Sequence, residues 1–372
     1  MISPKDFLEE LEKNNMSFFA GVPDSLLKDF CAYLDDHISK NKHIITANEG
    51  NAVAIAAGYY MATGKPPVVY MQNSGLGNAV NPLTSLTHKE VYSLPMLLII
   101  GWRGESSTTD EPQHIKQGKV TCEQLDLLDI PYKILDKLSC PHTLIEWAYR
   151  KMQKSSSPVA FVIKKNTFSI YNNKPKPKLP TFLLREEALT LLLPLIGDAC
   201  IVSTTGKTSR ELFELREFFS EQQRDFLTVG SMGHALSIAL GVALGKPNKK
   251  IICIDGDGSL LMHLGALPIT GSLSPTNLVH VLLNNAAHES VGGQPTVADK
   301  IDFQAIALAC GYTAYAMAST APELEASWKK LSLQPGPVML EVRIKTGSRK
   351  NLGRPKTTPI ENKREFMHWV EK

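Results

Sequence analysis

Asp257 lies between two glycines, directly after the apolar run of the segment IICIDGDGSLL, residues 251–261. A second apolar run, in LVHVLLNN, ends in Asn284 and Asn285. Ligands of a parallel α/β sheet bind at the carboxyl ends of its strands, so Asp257 and an asparagine converge if these two strands pair. A carboxylate and an amide oxygen suit Mg²⁺, which usually completes its coordination shell with phosphate and water. The pattern therefore predicts a magnesium site that holds a diphosphate.

Two common phosphate-binding motifs do not match these segments. A dinucleotide-binding fingerprint requires a third glycine three places after Gly258, where this chain has Leu261. The segment TGKTS, 205–209, resembles part of a P-loop, but Ile201 occupies the place of its first glycine. The residues 259–267 predict a helix whose amino end would attract an anion. An ordinary strand-to-helix turn, with a surface aspartate and capping asparagines, stays open as the alternative.

The spacing of these residues resembles the cofactor motif of thiamine diphosphate-dependent enzymes: GDGS at 256–259, 25 residues counted from Ser259 to Leu283, and then NN. The resemblance implies thiamine diphosphate and Mg²⁺ as cofactors. It implies that Asp257, Asn285 and the backbone carbonyl of Ala287 are the metal ligands. The other residues that it assigns to the diphosphate end of the cofactor lie in the same half of the chain: Gly256, Gly258, Ser259, Thr205 and Gly206.

A glutamate in the first half of the chain matches a second part of the same family. Glu49 opens a predicted helix, 49–63, within a segment rich in alanine and glycine, 45–65, that resembles the glutamate-bearing helix of these enzymes. The resemblance implies that Glu49 shares a proton with the pyrimidine ring and so activates the cofactor. A glutamate can do so only in a dry setting that keeps its proton affinity high. The alternative is an ordinary acidic residue in a first helical turn, where the helix dipole favours it.

The segment 228–245 resembles the part of these enzymes that lies beneath the thiazolium ring. The comparison implies that Met232 is the bulky residue that bends the cofactor, and that the carbonyl of Gly230 accepts a hydrogen bond from its amino group. Methionine is also a common core residue, so burial in the core is the alternative for Met232. The glycines at 230 and 233 favour the cofactor role.

Within this family, five stretches look most like the decarboxylases of phosphonopyruvate: 18–30, 73–86, 101–118, 203–214 and 284–296. The resemblance implies a carboxy-lyase that converts 3-phosphonopyruvate to phosphonoacetaldehyde and CO₂, in phosphonate biosynthesis. Decarboxylases of sulfopyruvate share much of the pattern, so sulfopyruvate or another short 2-oxo acid is the alternative substrate. A binding protein that keeps the fold without catalysis is a rival of another class. The presence of Glu49, Asp257 and Asn285 argues against it.

A 2-oxo acid substrate that bears a phosphonate carries two anionic groups, so its pocket requires cations or a nest of hydrogen-bond donors. The loop residues that the resemblance places near it are Ser25, Arg103, Lys207 and His288. The pair of histidines found in pyruvate decarboxylases is missing from the segment DEPQH. His114 is therefore the first choice for the proton donor, and Asp24 is the second. Each charged residue could instead be an ordinary solvated one.

The elements that must position these residues follow from the apolar runs. Short runs separated by helical stretches predict buried strands of mostly parallel sheets: 66–72, 95–102 and 158–165 before the segment NNKPKPKLP, and 199–206, 250–258, 278–285 and 338–345 after it. We therefore expect an α/β protein with two thiamine diphosphate-binding-type domains, each a sheet flanked by helices, and no middle domain. The predicted limits are 1–171 for the pyrimidine-binding domain, 172–180 for a linker and 181–372 for the diphosphate-binding domain. The basic tail from about 346 is either solvated or a strap over a site, and its composition favours the solvated form.

The composition narrows the classes of partner. Lys plus Arg is 40 and Asp plus Glu is 37, a net charge of +3, which is too small to indicate nucleic-acid binding. The six cysteines form no C-x-x-C pair, and the chain shows neither a signal peptide nor a long apolar run, so a cytoplasmic protein without membrane contact is expected. The family resemblance implies a homodimer or higher homo-oligomer with sites at the subunit interface, because the two domain types of different subunits face each other in that family.

Overall fold

The structure, a computed structural model, describes residues 1–172 and 182–372. These residues form two compact units. The first contains the described residues up to 172 together with Val291–Gln294, and the second contains 182–290 and 295–372. Apart from Asn172, the predicted linker lies outside the described residues, so the predicted domain limits stay predictions.

The first unit is built on a six-stranded sheet in which every strand pair is parallel. The strand order is β2-β1-β3-β4-β6-β5. The strands are β1 Phe19–Gly21, β2 His43–Ile45, β3 Val68–Gln72, β4 Leu97–Gly101, β5 Tyr132–Leu135 and β6 Val159–Ile163. The helices are α1 Pro4–Lys13, α2 Lys28–His37, α3 Glu49–Thr63, α4 Leu76–Ser85, α5 Pro112–Leu127 and α6 Pro141–Ser155, with a 3₁₀ turn at Asn73–Gly75.

The central strands β3, β4 and β6 coincide with the three apolar runs of the first half. Alternate residues of β4 enter two separate apolar clusters, Leu97 and Ile99 in one, Leu98 and Ile100 in the other. A strand that is buried on both faces must be apolar throughout, which is why these strands are readable as continuous runs. The edge strand β5 has no such run, because its two middle residues are exposed.

Helix α3 has the predicted limits, and its ends show why. The Asn48 side chain accepts a hydrogen bond from the backbone N–H of Asn51 at 2.9 Å, which caps the first turn. Gly64 follows the last turn with φ +68°, the left-handed conformation that commonly ends a helix. Glu49 is therefore the first residue of the helix.

The second unit is built on a seven-stranded sheet of parallel pairs, in the order β14-β15-β11-β10-β8-β9 with β7 beside β15. Its strands are β7 Leu183–Leu184, β8 Cys200–Ser203, β9 Phe226–Leu227, β10 Ile251–Gly256, β11 Leu278–Asn284, β14 Ala314–Ala318 and β15 Val338–Lys345. Two short strands lie outside this sheet, β12 Ala287–His288 and β13 Gln294–Pro295. The helices are α7 Arg185–Ile196, α8 Lys207–Phe218, α9 Ala235–Gly245, α10 Asp257–Met262, α11 Ala266–Leu273, α12 Phe303–Ala309, α13 Ala321–Leu331 and α14 Pro359–Glu371, with 3₁₀ turns at Glu289–Val291 and Ala298–Lys300.

The predicted α/β class with parallel sheets is confirmed, and so is the pairing that brings the motif residues together. Strands β10 and β11 are neighbours, with Gly256 opposite Leu283. Asn284 pairs in turn with Arg343 of β15. The carboxyl ends of these three strands therefore meet at one edge of the sheet. None of the helices in the described ranges combines the length and the apolar character that crossing a membrane requires.

Two local expectations differ from the structure. The single helix expected over 259–267 is divided, because α10 ends at Met262 and α11 begins at Ala266. His263 interrupts it with non-helical backbone angles, φ −133° and ψ 52°. A Cβ atom on Gly233 would lie 2.5 Å from the His263 ring, so this loop fits closely against the break.

The basic tail binds the second unit between Arg349 and Gly353, where it forms a strap across α7 and α8 rather than a solvated segment. Arg349 pairs with Glu186 at 2.7 Å and also with Glu214. The backbone of Gly353 donates to Glu214 at 2.6 Å and accepts from Arg210 at 2.6 Å. Its basic and glycine residues thus bind the acidic and basic side chains of α7 and α8, contacts that composition alone does not reveal.

Candidate active site

Asp257 lies at the start of α10, with only 3% of the residue exposed. The Thr296 hydroxyl donates to its Oδ2 at 2.5 Å. Burial raises the pKa of Asp257 to about 6, although hydrogen bonds from Thr296 and from the backbone of Asn285 lower it. A carboxylate this poorly hydrated is stabilised in its charged form by a bound cation.

The two asparagines at the end of β11, Asn284 in the strand and Asn285 after it, form consecutive side-chain turns. The Oδ1 atom of Asn285 accepts the backbone N–H of Ala287 at 3.0 Å, and its Nδ2 donates to Glu289 at 3.0 Å. Asn284 makes the same kind of turn one residue earlier, and its Nδ2 donates to Glu341 at 2.8 Å. Asp257, Asn285 and Ala287 thus meet at one edge of the sheet and offer only oxygen ligands. This donor set fits Mg²⁺.

The turn around Gly258 is packed closely from within the unit. A Cβ atom on Gly258 would lie 3.0 Å from Cε1 of His288. Ser259 Oγ accepts hydrogen bonds from the backbone of Gly233 and from the Thr204 hydroxyl, both at 3.0 Å. Ser259, in α10, therefore joins the loops after β8 and β9 at the carboxyl edge of the sheet. Burial lowers the pKa of His288 to about 4, so its ring is neutral at neutral pH.

The loops after β8 and β9 are joined by another predicted residue. The Thr205 hydroxyl accepts from the backbone of Gly230 at 3.0 Å. Gly206 and Gly230 have φ of +92° and +78°, a conformation that glycine adopts without strain. Met232 is half-buried and belongs to none of the apolar core clusters of the described chain, so the alternative of a core methionine is not supported.

Lys207 is already paired within the second unit. Its Nζ lies 2.8 Å from Glu289 Oε1. Arg185 contacts the other oxygen of Glu289 at 3.0 Å and binds Glu211 through two hydrogen bonds of 2.7 and 2.9 Å. If Lys207 binds the substrate, as predicted, the substrate must compete with Glu289 for its ammonium group. The loop pattern did not indicate this competing carboxylate.

Glu49, in the first unit, is 5% exposed and has an amide partner. Asn78 Nδ2 donates to Glu49 Oε2 at 2.8 Å. A Cβ atom on Gly75 would lie 2.4 Å from Glu49 Oε1, so only glycine leaves room for the carboxylate. Asn78 and Gly75 both lie in the segment 73–86, but nothing in their own types singled them out.

Arg103 organises a cluster in the first unit. Its guanidinium binds Asp110 through Nε at 2.8 Å and Nη2 at 2.5 Å, and its Nη1 donates to Ser25 Oγ at 2.9 Å. Asp110 was not predicted. Burial opposes its charge, but the hydrogen bonds and charge of Arg103, together with hydrogen bonds from the backbone of Glu111 and Gly104, outweigh burial and hold the pKa of Asp110 well below its usual range. The bidentate pair leaves Arg103 fixed and locally balanced in charge.

The two candidate proton donors have opposite pKa shifts. Asp24 is fully buried, and burial raises its pKa to about 6, with Arg103 among the groups that lower it. Burial and the charge of Arg103 lower the pKa of His114 to about 4. Asp24 therefore exchanges its proton close to neutral pH, whereas His114 is a neutral imidazole there.

Comparison with known proteins covers both units. Residues 5–126 match the model of the thiamine pyrophosphate enzyme N-terminal TPP binding domain, and residues 204–342 match that of the C-terminal TPP binding domain. Phosphonopyruvate decarboxylases of Streptomyces viridochromogenes and Streptomyces hygroscopicus are each 34% identical to the chain over its whole length and over 95% and 94% of theirs. A sulfopyruvate decarboxylase of Methanosarcina acetivorans is 30% identical over 84% of the chain and 83% of its own length.

Proposed function

Because the chain belongs to the thiamine pyrophosphate enzyme family, with phosphonopyruvate decarboxylases among its full-length relatives, we propose that it converts 3-phosphonopyruvate to phosphonoacetaldehyde and CO₂. The observation that carries this proposal is the match to those decarboxylases from end to end. It makes the chain a thiamine diphosphate-dependent carboxy-lyase. No additional domain is required between its two matched regions.

The second unit would hold the diphosphate end of the cofactor. Asp257, Asn285 and the carbonyl of Ala287 would bind Mg²⁺, and the glycine turn at 256–258 would let backbone N–H groups approach the diphosphate. When bound, thiamine diphosphate supplies the electron sink that decarboxylation of a 2-oxo acid requires. Burial of Asp257 supports this assignment, because a dry carboxylate gains most from a cation.

The first unit would supply the proton-handling groups. Glu49 would share a proton with the pyrimidine ring of the cofactor, and the amide of Asn78 holds one of its oxygens in place. Arg103, held by Asp110, would contact an anionic group of the substrate. Asp24 suits proton delivery near neutral pH better than His114, since its pKa is about 6. These roles stay proposals.

Sulfopyruvate is the second candidate substrate, because the relative from Methanosarcina acetivorans also spans most of the chain. CO₂ release from phosphonopyruvate and sulfopyruvate, assayed side by side with added thiamine diphosphate and Mg²⁺, tests the choice. We expect a higher kcat/KM for phosphonopyruvate. A higher kcat/KM for sulfopyruvate would make sulfopyruvate the preferred substrate. If CO₂ is released from neither compound, the decarboxylase proposal is contradicted.

We also propose a homo-oligomer, in which Glu49 of one copy and Asp257 of another would serve one cofactor. At limiting Mg²⁺ and cofactor, the Glu49→Gln and Asp257→Ala variants should each have strongly reduced activity alone. After mixing and reassembly they should recover about a quarter of the sites, because half of the random dimers carry one intact site. No recovery in verified mixed dimers would contradict sites shared between copies.

A further inference from the structure

The carboxylate of Glu289 contacts three charged or polar side chains. Its Oε2 accepts from Asn285 Nδ2 at 3.0 Å and from Arg185 Nη1 at 3.0 Å, and its Oε1 accepts from Lys207 at 2.8 Å. The side chain is 11% exposed. The two ion pairs, with Arg185 at 3.0 Å and Lys207 at 2.8 Å, favour the carboxylate form of Glu289.

The contact with Asn285 determines which way its amide faces. A side-chain amide has one acceptor and one donor end, and a carboxylate can accept only from the donor end. With Nδ2 bound to Glu289, Oδ1 must lie on the other side, where it accepts from Ala287. The backbone N–H of Asn285 also binds the Asp257 carboxylate, so the two proposed ligands are neighbours.

Glu289 is itself anchored, so it can impose this orientation. Arg185 is 7% exposed and is fixed by its two hydrogen bonds to Glu211, a residue with no exposure. The chain of contacts therefore runs from Glu211 in α8 through Arg185 in α7 to Glu289 and Asn285. The two cations that bind Glu289 also occupy it, which disfavours its approach to a metal as a competing ligand.

We propose that Glu289 is a positioning residue of the cofactor's metal site, which presents the Oδ1 atom of Asn285 to Mg²⁺. The inference rests on the proposed function, because it assigns a role toward the metal of that cofactor. Partners that orient metal ligands typically contribute about 10- to 100-fold to metal affinity. Glu289 contacts neither substrate nor reacting atoms in this role.

The neighbouring asparagine provides a matched control. Asn284 is held by Glu341 at 2.8 Å just as Asn285 is held by Glu289, but Asn284 is not a proposed ligand. Glu341→Gln and Glu289→Gln are the same chemical change, made at the partners of two neighbouring asparagines. If Mg²⁺ affinity falls only because the asparagine turns are loosened, it should fall equally in both variants.

The experiment titrates Mg²⁺ into full-length protein at saturating thiamine diphosphate and follows cofactor binding by calorimetry. Glu289→Ala should raise the half-saturating Mg²⁺ concentration about 10- to 100-fold. Glu289→Gln keeps an acceptor oxygen but loses the charge, so its increase should be smaller. Glu341→Gln should stay near the wild-type value. At saturating Mg²⁺, Glu289→Gln should recover most of kcat.

Three results would overturn the inference: an unchanged Mg²⁺ requirement in Glu289→Ala, an equal increase in Glu341→Gln, or a loss of kcat in Glu289→Gln that Mg²⁺ does not restore. If Glu289→Ala does not fold, the comparison of Glu289→Gln with Glu341→Gln decides. A wild-type protein that binds no thiamine diphosphate with Mg²⁺ would instead contradict the proposed function itself. The two failures are therefore distinguishable.

Discussion

Each unit buries one acid of the proposed cofactor site beside a glycine, but the two acids have different surroundings. Glu49 lies against Gly75 and is bound by the neutral amide of Asn78. Asp257 follows Gly256 and is bound by the Thr296 hydroxyl. Burial raises the pKa of Asp257 to about 6, in a turn that offers several oxygens, and none of its hydrogen-bond partners among the described residues is positively charged.

The difference shows how similar burial can serve two kinds of chemistry. An amide partner fixes the position of the Glu49 carboxylate without supplying a charge, as a group that shares a proton requires. The oxygens around Asp257 favour the binding of a cation, which is the environment that a metal ligand needs. The neighbours of the acid, rather than its burial, therefore separate proton transfer from metal binding.

The largest expected effect tests the role of Glu49. Glu49→Gln should lower decarboxylation about 10²- to 10⁴-fold, the usual range for loss of acid–base catalysis, because an amide cannot share the proton. Mg²⁺-dependent binding of thiamine diphosphate should persist. CO₂ release and calorimetry measure the two properties on one preparation. A variant with full turnover would refute the proposed role.

The second prediction reverses this pattern in the other unit. Asp257→Ala should weaken Mg²⁺-dependent cofactor binding by about 100-fold or more, because it removes a ligand rather than a partner of one. Activity should follow occupancy, so part of it should return at high Mg²⁺ and cofactor. Glu49→Gln is the matched control for binding. Equal cofactor titrations for Asp257→Ala and the wild type would remove the metal assignment.

The glycines beside the two acids give a smaller and more local test. Gly75→Ala would place a Cβ 2.4 Å from Glu49 Oε1 and displace the carboxylate, so kcat should fall about 10- to 100-fold. Gly258→Ala meets the His288 ring at 3.0 Å and should instead weaken cofactor binding, with less effect on kcat at saturation. If both variants change only binding, the proposed division between the units is wrong.

The fold was largely predictable where the residues of a segment by themselves determine its structure. Strands β10, β11 and β15 are mostly apolar and almost wholly buried, as expected for central strands that are covered on both faces. Strands β2 and β9 have three and two residues, too few to show a pattern. The strap from Arg349 to Gly353 depends on partners in α7 and α8, so its composition was misleading.

The site was predictable where the motif itself carries the chemistry, as with Asp257 and Asn285. Asn78 and Thr296 were missed because they lie 29 and 39 residues from the acids that they bind, and only folding brings them together. Asp110 was missed although it lies seven residues from Arg103. Glu289 is four residues from Asn285, so closer attention to acidic residues just after the motif would have found it.

The smallest predicted effect concerns the Thr296 hydroxyl, which donates a hydrogen bond to Asp257. Thr296 lowers the pKa of Asp257 against the effect of burial, so Thr296→Val should raise that pKa above about 6. Protonation competes with Mg²⁺, and affinity for the metal should therefore fall as the pH drops through the pKa. The pH at which half of the Mg²⁺ affinity is lost should shift upward by about one unit in Thr296→Val, the size of one hydrogen bond to a charged group.

Thr204→Val is the control for this shift, because the Thr204 hydroxyl donates to Ser259 rather than to Asp257. Its pH midpoint for Mg²⁺-dependent cofactor binding should match the wild type, although both variants lose one buried hydroxyl of the same unit. A shift of equal size in the two variants would mean that packing, rather than the hydrogen bond to Asp257, determines the pH dependence. A downward shift in Thr296→Val would mean that Thr296 does not stabilise the charged form of Asp257, and the contrast with Glu49 would then lose the neighbour on which it depends.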